Sequence, residues 1–169
     1  MGIIAIVGAG NVGQAIAGHM TLLGHEVRLY SRWERDFEAI TSTGGIELSG
    51  DVEGRAAKPL LTTDLVTAVR GADTIIVAAP AFAHAYFSEQ LAALLEPGQL
   101  VVFQPGVLGS SLELARHFAL AQRRPCLIAE TATSLYTCRL RGPAKVFIGA
   151  IKQAVPLATI PHAACQEAL

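Results

Sequence analysis

Residues 3–30 of the chain, IIAIVGAGNVGQAIAGHMTLLGHEVRLY, decide its fold. Residues 2–7 are apolar and predict a buried strand, and the glycine-rich stretch GAGNVG at 8–13 follows it directly. Apolar residues then recur at helical spacing over 12–23, and Gly24 predicts the end of that helix. A second short strand is predicted at 26–30. Strand, glycine turn, helix and strand together indicate the first β-α-β unit of a parallel sheet.

The glycine stretch has the spacing G-x-G-x-x-G between a predicted strand and a predicted helix. Gly8 permits a tight turn, Gly10 lets the backbone approach a pyrophosphate, and Gly13 lets the helix pack closely on the strand. The N-terminus of the helix offers free N–H groups to an anion. We therefore predict a dinucleotide-binding turn, and the alternative is a glycine-rich turn without a ligand. The predicted cofactor-binding residues of this turn are Gly8, Ala9, Gly10, Asn11, Val12 and Gly13.

The end of the second strand indicates which dinucleotide is bound. NAD-binding proteins usually place an acidic residue there, roughly 20 residues after the glycine motif, to bind the ribose 2′-hydroxyl. Ser31 and Arg32 occupy this position, and a hydroxyl and a guanidinium suit a 2′-phosphate. The sequence thus favours NADP, with NAD as a possible cofactor. Alternatively, Arg32 and Arg35 are solvated charges beside Glu34 and Asp36.

Strand and helix patterns continue to alternate along the chain. Helices are predicted at 33–41, 63–69, 83–94 and 110–121, strands at 74–79, 100–103, 126–129 and 145–150, and a small hairpin at 46–48 and 57–60. Short connections between alternating elements predict an α/β fold with a doubly wound, mostly parallel sheet of the Rossmann type. Ala79 and Pro80 end a predicted strand at the carboxyl edge of this sheet, where ligands bind. We expect both to contact the cofactor. His84, near the start of the next helix, could touch the nicotinamide ribose or the substrate, but such a histidine is more often a partly exposed helix residue, and we assign it no catalytic role.

The composition narrows the class of protein further. The chain has 169 residues, of which 51% are hydrophobic and 16% charged. This composition excludes a disordered protein, and the length suits one domain, or at most one domain and a stub of a second. Mean hydropathy is +0.43, but no apolar run approaches the roughly 20 residues that span a bilayer. A net charge of −1 argues against nucleic-acid binding. Three cysteines without C-x-x-C spacing predict no metal site and a cytoplasmic protein.

Several segments together resemble one enzyme family. The opening from Gly8 to Arg32 is similar to that of opine dehydrogenases, such as octopine and nopaline dehydrogenases, and also to ketopantoate reductases and glycerol-3-phosphate dehydrogenases. Three later segments resemble opine dehydrogenases more specifically. They are the turn QPGVLGS at 104–110, the ET at 130–131 with YTCR at 136–139, and VFIGAIK at 146–152 followed by Pro161. The resemblance covers nearly the whole chain.

The resemblance implies a reaction and a set of substrate residues. Opine dehydrogenases condense an amino acid with a 2-oxo acid such as pyruvate and reduce the resulting imine with a nicotinamide cofactor. Arg139 is the best candidate for binding a substrate carboxylate, and Gln104, Thr133 and Cys138 match substrate-facing positions of the family. Each has a plainer interpretation, since Cys138 can be a small buried hydrophobe and Arg139 a surface charge. Glu130 is expected to orient Arg139 or to bond locally.

The resemblance also implies a two-part enzyme. We expect residues 1–152 to form the NAD(P)-binding domain, and 153–169 to be an exit segment leading to a helical substrate domain. In the family that second domain supplies a His–Asp pair for proton transfer, so we assign no catalytic residue here and expect a truncated catalyst. Alternatives are a non-catalytic dinucleotide-binding module, or the cofactor domain of a ketopantoate reductase or glycerol-3-phosphate dehydrogenase. We also expect association with a second copy or with the missing domain through an apolar seam.

Overall fold

A computed structural model of the chain describes residues 2–106 and 109–168. The strands are β1 (Ile3–Val7), β2 (Glu26–Tyr30), β3 (Gly45–Gly50), β4 (Gly54–Ala57), β5 (Leu60–Thr62), β6 (Thr74–Val77), β7 (Leu100–Phe103), β8 (Leu127–Thr131), β9 (Tyr136–Gly142), β10 (Lys145–Ile151) and β11 (Leu157–Ile160). The α-helices are α1 (Asn11–Leu22), α2 (Glu38–Thr43), α3 (Leu65–Val69), α4 (His84–Leu94) and α5 (Ser110–Leu120). Short 3-10 segments lie at Glu34–Phe37, Ala81–Ala83 and His162–Ala168.

Seven strands form the main sheet, in the order β11-β8-β7-β6-β1-β2-β5. All neighbouring pairs are parallel except β11 with β8, which is antiparallel. From β1 the chain passes to β2 on one side and later to β6 on the other, so the direction of winding reverses between β1 and β6. Ligands of such sheets bind at that reversal, beyond the carboxyl ends of the strands. The expected doubly wound, mostly parallel fold is confirmed.

The two faces of the main sheet bury separate cores. On one face Ala5 and Val7 of β1 pack with buried side chains of α4 and α5, among them Phe87 and Phe118. On the other face Ile4 and Ile6 pack against α1. Alternation of β1 side chains between two apolar layers explains why this strand is a continuous hydrophobic run.

A second sheet covers the outer side of α1. It has four strands in the order β4-β3-β10-β9, and its apolar side shares a core with α1. Contact is close, since a Cβ added at Gly18 of α1 would lie 2.9 Å from a methyl carbon of Leu48 in β3. The hairpin predicted at 46–48 and 57–60 is correct for its first strand, which is β3. The partner of β3 is β4 at 54–57, and the strand that begins at residue 60, β5, pairs with β2 in the main sheet. The strand predicted at 145–150 is present and belongs to this second sheet.

The chain re-enters the main sheet after the second sheet is complete. β11 pairs with β8 over four residues, Leu157 with Thr131 through Ile160 with Ile128. The main sheet therefore extends to Ile160, so part of the segment that the resemblance assigns as an exit forms its last strand. The domain boundary expected after residue 152 stays a prediction.

Candidate functional site

A cleft of about 580 Å³ opens beyond the carboxyl ends of β1, β2 and β6. Its walls come from the glycine turn, the segment after β2, the segment after β6 and the start of the turn after β7. The lining residues are 8–12, 30–33, 36, 78–83, 87, 104 and 105. The cleft thus lies at the reversal of winding and brings together most of the sequence-predicted cofactor residues. Its volume is in the range of small-molecule and cofactor sites.

Each of the three glycines of the turn is a glycine for a different structural reason. Gly8 has φ +117°, and an added Cβ would lie 2.8 Å from the carbonyl oxygen of Ala78. An added Cβ at Gly13 would lie 1.7 Å from the carbonyl oxygen of Gly8, so the chain's own packing excludes a side chain there. At Gly10 φ is −77°, and an added Cβ would meet nothing within 4 Å. Gly10 alone therefore presents open backbone to the cleft.

Helix α1 begins at this open backbone. Gly10 is its N-cap residue, no side chain caps the helix there, and its first turn carries no acidic residue. The uncompensated N–H groups and the partial positive charge of a helix N-terminus favour an anion. The start of α1 is consequently suited to a phosphate group.

The side chain of Asn11 is directed to the second sheet. Its Oδ1 accepts a hydrogen bond from the backbone N–H of Leu140, at 2.8 Å from the nitrogen. The Cys138 thiol donates to the Asn11 carbonyl at 3.5 Å, and burial raises the pKa of that thiol, with the nearby Arg139 charge opposing the shift. Asn11 therefore ties β9 to the glycine turn, and the Cys138 sulfur remains a neutral thiol beside it.

The segment after β2 carries two opposite charges into the cleft. The Ser31 hydroxyl donates a hydrogen bond to Asp36 Oδ2, and both residues line the cleft. The Arg32 guanidinium lies 4.8 Å from the ring centre of Tyr86 and 5.5 Å from that of Trp33. Sequence reasoning treated Asp36 only as a surface charge. Asp36 is five residues after Ser31, and the two side chains meet only because the 3-10 turn at 34–37 brings them together. The sequence alone does not indicate that turn.

His84 fixes the segment after β6. It is only 4% exposed, so the expectation of a partly exposed residue is wrong. Its Nε2 lies 2.9 Å from the Ala79 carbonyl oxygen and its Nδ1 2.7 Å from Ser110 Oγ. Because a carbonyl oxygen only accepts, Nε2 donates to Ala79, and Nδ1 is hydrogen-bonded to the Ser110 hydroxyl. His84 thereby joins the Ala79–Pro80 wall of the cleft to the start of α5.

Gln104 brings an unsatisfied donor to the cleft. The residue is 6% exposed, and its Nε2 is buried without a hydrogen-bond partner from the described residues. Its backbone N–H bonds the Val77 carbonyl at 2.9 Å, which places it directly beyond β7 and beside β6. A buried amide without a partner is costly, so Gln104 is suited to donate to a ligand acceptor.

The other predicted substrate residues lie outside this cleft. Thr133 lines a neighbouring depression of about 510 Å³ with Gly106 and Glu130, and its hydroxyl accepts from Lys152 Nζ at 2.8 Å. Arg139 is exposed on the side of β9 that faces away from α1, opposite Phe147. The substrate roles of Thr133, Cys138 and Arg139 stay predictions.

Glu130 makes a local hydrogen bond, which was one of its two expected roles. Its Oε2 accepts from the backbone N–H of Ser111 at 2.8 Å, in the first turn of α5. A carboxylate at a helix N-terminus is stabilising, so Glu130 supports α5. Val107 and Leu108 of the predicted QPGVLGS turn lie outside the described residues.

Within residues 2–106 and 109–168, no three histidine, cysteine or acidic side chains come together in a way that could hold a metal ion. No helix in the same ranges has the length and apolar character required to cross a bilayer.

Known proteins resemble the chain in sequence and in fold. The sequence model of the ketopantoate reductase PanE/ApbA family matches residues 4–153. An opine dehydrogenase of Arthrobacter sp. (strain 1C) is 34% identical over 166 residues, which make up 98% of this chain and 46% of that protein. Octopine dehydrogenase, solved with NADH and L-arginine, has a TM-score of 0.82 at 21% identity, covering 94% of this chain and 42% of that one. Yersinopine dehydrogenase with NADP+ bound has a TM-score of 0.75 at 21% identity, covering 94% and 41%.

These similarities bear on the fold and the family of the chain. The chain spans a little under half the length of these relatives. The resemblance to opine dehydrogenases is confirmed by the Arthrobacter relative, and the fold by the two solved structures. Because the family match covers nearly all of the chain, this protein belongs to the ketopantoate reductase PanE/ApbA family of oxidoreductases.

Proposed function

We propose that the chain binds NADPH or NADH in the cleft at the glycine turn, as the dinucleotide-binding part of an opine-dehydrogenase-like oxidoreductase. The observation that carries this proposal is Gly10. Its φ of −77° suits any residue and an added Cβ would touch nothing in the chain, so neither backbone strain nor packing requires glycine there. A ligand that approaches the backbone at the N-terminus of α1 does require it.

The remaining walls fit the parts of a dinucleotide. The uncapped start of α1 would hold the pyrophosphate, and Arg32 lies where the adenosine ribose and its substituent are expected. Ala79 and Pro80, fixed by His84, would form the wall on the nicotinamide side. The unpartnered Nε2 of Gln104 would donate to an acceptor near that end. The bound nicotinamide supplies the hydride of the reaction.

We propose the reaction class from the relatives. In it an amino acid condenses with a 2-oxo acid and loses water, and the imine carbon then receives a hydride while the nitrogen keeps a proton. Both substrates carry carboxylates, so Arg139 and Gln104 remain candidates for binding them. The described cleft residues include no histidine, and His84 is occupied by Ala79 and Ser110. Proton transfer would therefore depend on groups outside this cleft.

A dinucleotide-binding module without catalysis is a second candidate function, because it would use the same glycine turn and the same walls. We propose a cytoplasmic location in either case, from the free Cys126, Cys138 and Cys165. Association with a second copy or with a substrate domain is likewise a proposal.

Fluorescence titration of the 169-residue chain with NADPH and with NADH tests the proposal. Saturable binding of at least one cofactor is expected, and its absence for both would overturn the cofactor role. Oxidation of the bound cofactor in the presence of pyruvate and a panel of amino acids distinguishes a catalyst from a binding module. Turnover of ketopantoate instead would move the assignment to a ketopantoate reductase.

The substitution Arg32→Glu is expected to weaken NADPH binding at least about tenfold, because it replaces the guanidinium that pairs with a 2′-phosphate by a repelling carboxylate. NADH has no phosphate there, so its dissociation constant should change several-fold less. Arg35→Glu is the matched control, since Arg35 stacks on Trp33 at 5.2 Å but does not line the cleft. Equal losses for both cofactors in Arg32→Glu would contradict the role of Arg32.

A further inference from the structure

We propose that Asp36 is a cofactor-specificity residue that favours NADH and opposes NADPH. Its carboxylate would accept a hydrogen bond from a hydroxyl of the adenosine ribose and repel a phosphate at the same place. This inference rests on the proposed cofactor role of the cleft and goes beyond the sequence, which places Ser31 and Arg32, but no acidic residue, at the end of β2.

The position of Asp36 is set by local structure. The 3-10 turn Glu34–Phe37 returns the chain toward the end of β2, and Asp36 N–H bonds the Trp33 carbonyl at 3.1 Å. Phe37, next in the chain, is buried in the core between the main sheet and α1 and anchors the turn. The Ser31 hydroxyl then donates to Asp36 Oδ2. Asp36 is thus held in the cleft wall by a backbone contact and a side-chain contact.

The charge of this carboxylate is not neutralised by a cation. The ion pairs among the described residues involve Arg28, Arg116, His117 and Lys145, and none involves Asp36. The Ser31 hydrogen bond engages Oδ2 and leaves the negative charge in place. A ribose hydroxyl is a donor and suits a carboxylate, whereas a phosphate carries about −2 charge and is disfavoured beside it.

Arg32 acts in the opposite direction from the same end of the cleft. Its guanidinium carbon lies over the Tyr86 ring, 4.8 Å from the ring centre, and among the described residues it makes no ion pair with Asp36 within 4.0 Å. A cation over a ring face keeps its positive charge, and the guanidinium N–H groups can donate to a phosphate. Two unpaired charges of opposite sign therefore line one end of the cleft, and the ratio of NADPH to NADH affinity depends on their balance.

The test is Asp36→Asn, which keeps an oxygen acceptor for Ser31 and removes the charge. NADPH affinity relative to NADH affinity should rise at least about tenfold, and this change should shrink at high salt because salt screens charge repulsion. Glu34→Gln is the matched control, since Glu34 lies in the same 3-10 turn, carries the same charge and does not line the cleft. Its affinity ratio should stay within about twofold of wild type.

Each outcome has a separate meaning. An unchanged ratio in a folded Asp36→Asn chain that binds both cofactors would overturn the specificity role and leave the proposed function standing. An equal shift in Glu34→Gln would assign the effect to overall charge and also overturn it. Failure of the wild-type chain to bind either cofactor would instead overturn the proposed function. Melting temperatures of both variants confirm that the folded state is compared.

Discussion

Replacing Gly10 with valine is expected to leave a folded chain that binds neither NADPH nor NADH measurably. The backbone at Gly10 is in an extended conformation that valine adopts, and the space beside it is empty of protein atoms within 4 Å. The isopropyl group would project from the N-terminus of α1 into the cleft. Loss of two charge-assisted hydrogen bonds to a pyrophosphate corresponds to about 3 kcal/mol, or roughly a hundredfold in affinity.

Two measurements on the same sample separate binding from folding. The dissociation constant comes from cofactor fluorescence, and the melting temperature from circular dichroism. Valine is a poorer N-cap residue than glycine, so the melting temperature should fall by only a few degrees. Gly10→Ser keeps a good N-cap and adds a smaller side chain, so its affinity should lie between those of wild type and Gly10→Val. Wild-type affinity in folded Gly10→Val would contradict the proposed position of the pyrophosphate.

Gly13→Ala, three residues away, is expected to destabilise the fold itself. The added methyl carbon would lie 1.7 Å from the Gly8 carbonyl oxygen and 2.8 Å from the Gly8 carbonyl carbon, and both are backbone atoms. Neither rotates aside freely, because the Gly8 N–H is hydrogen-bonded to the Tyr30 carbonyl at 2.9 Å. Helix α1 must move away from β1, which opens the core around Ile6 and Ile16. We expect a loss of about 3 kcal/mol or more in the free energy of unfolding.

Urea denaturation measures this loss directly. For a chain of this length, 3 kcal/mol corresponds to a fall of roughly 6–12 °C in melting temperature. Gly10→Ala adds the same methyl group within the same turn and serves as the control, with little change expected. A wild-type unfolding midpoint for Gly13→Ala would show that α1 and β1 are less closely packed than these distances indicate.

The main sheet and the glycine turn were predictable because their signals are local. Strands β1, β6 and β7 are short, mainly apolar runs, and β2 closely follows the glycine that ends α1. The predicted bounds of these four strands differ from the observed ones by at most two residues. The helix predicted at 63–69 is α3, and its N-cap Asp64 accepts from the backbone N–H groups of Val66 and Thr67. In such cases the residues that decide the structure are neighbours in the chain.

The second sheet and the role of Asp36 were not predictable in the same way. β10 pairs in parallel with β3, about a hundred residues earlier in the chain, and no local pattern indicates that partner. β9 has no continuous apolar run, since Thr137, Arg139 and Arg141 are exposed, and in the folded chain it is held by its pairing with β10 and by the bond to Asn11. Asp36 reaches the cleft only because a 3-10 turn returns it to Ser31.

The bond between Asn11 and Leu140 has a consequence for folding kinetics. It joins residues 129 positions apart, and the parallel pairing of β10 with β3 closes a loop of similar scale. Contacts of such long sequence separation slow folding, because the entropy of closing the loop is lost before the contacts compensate for it. During synthesis the first β-α-β unit emerges early, and β3 and β4 follow soon after, but β9 and β10 are complete only when residue 151 has left the ribosome. The part of α1 that β9 and β10 cover therefore stays exposed on the nascent chain until late in synthesis and needs protection from aggregation.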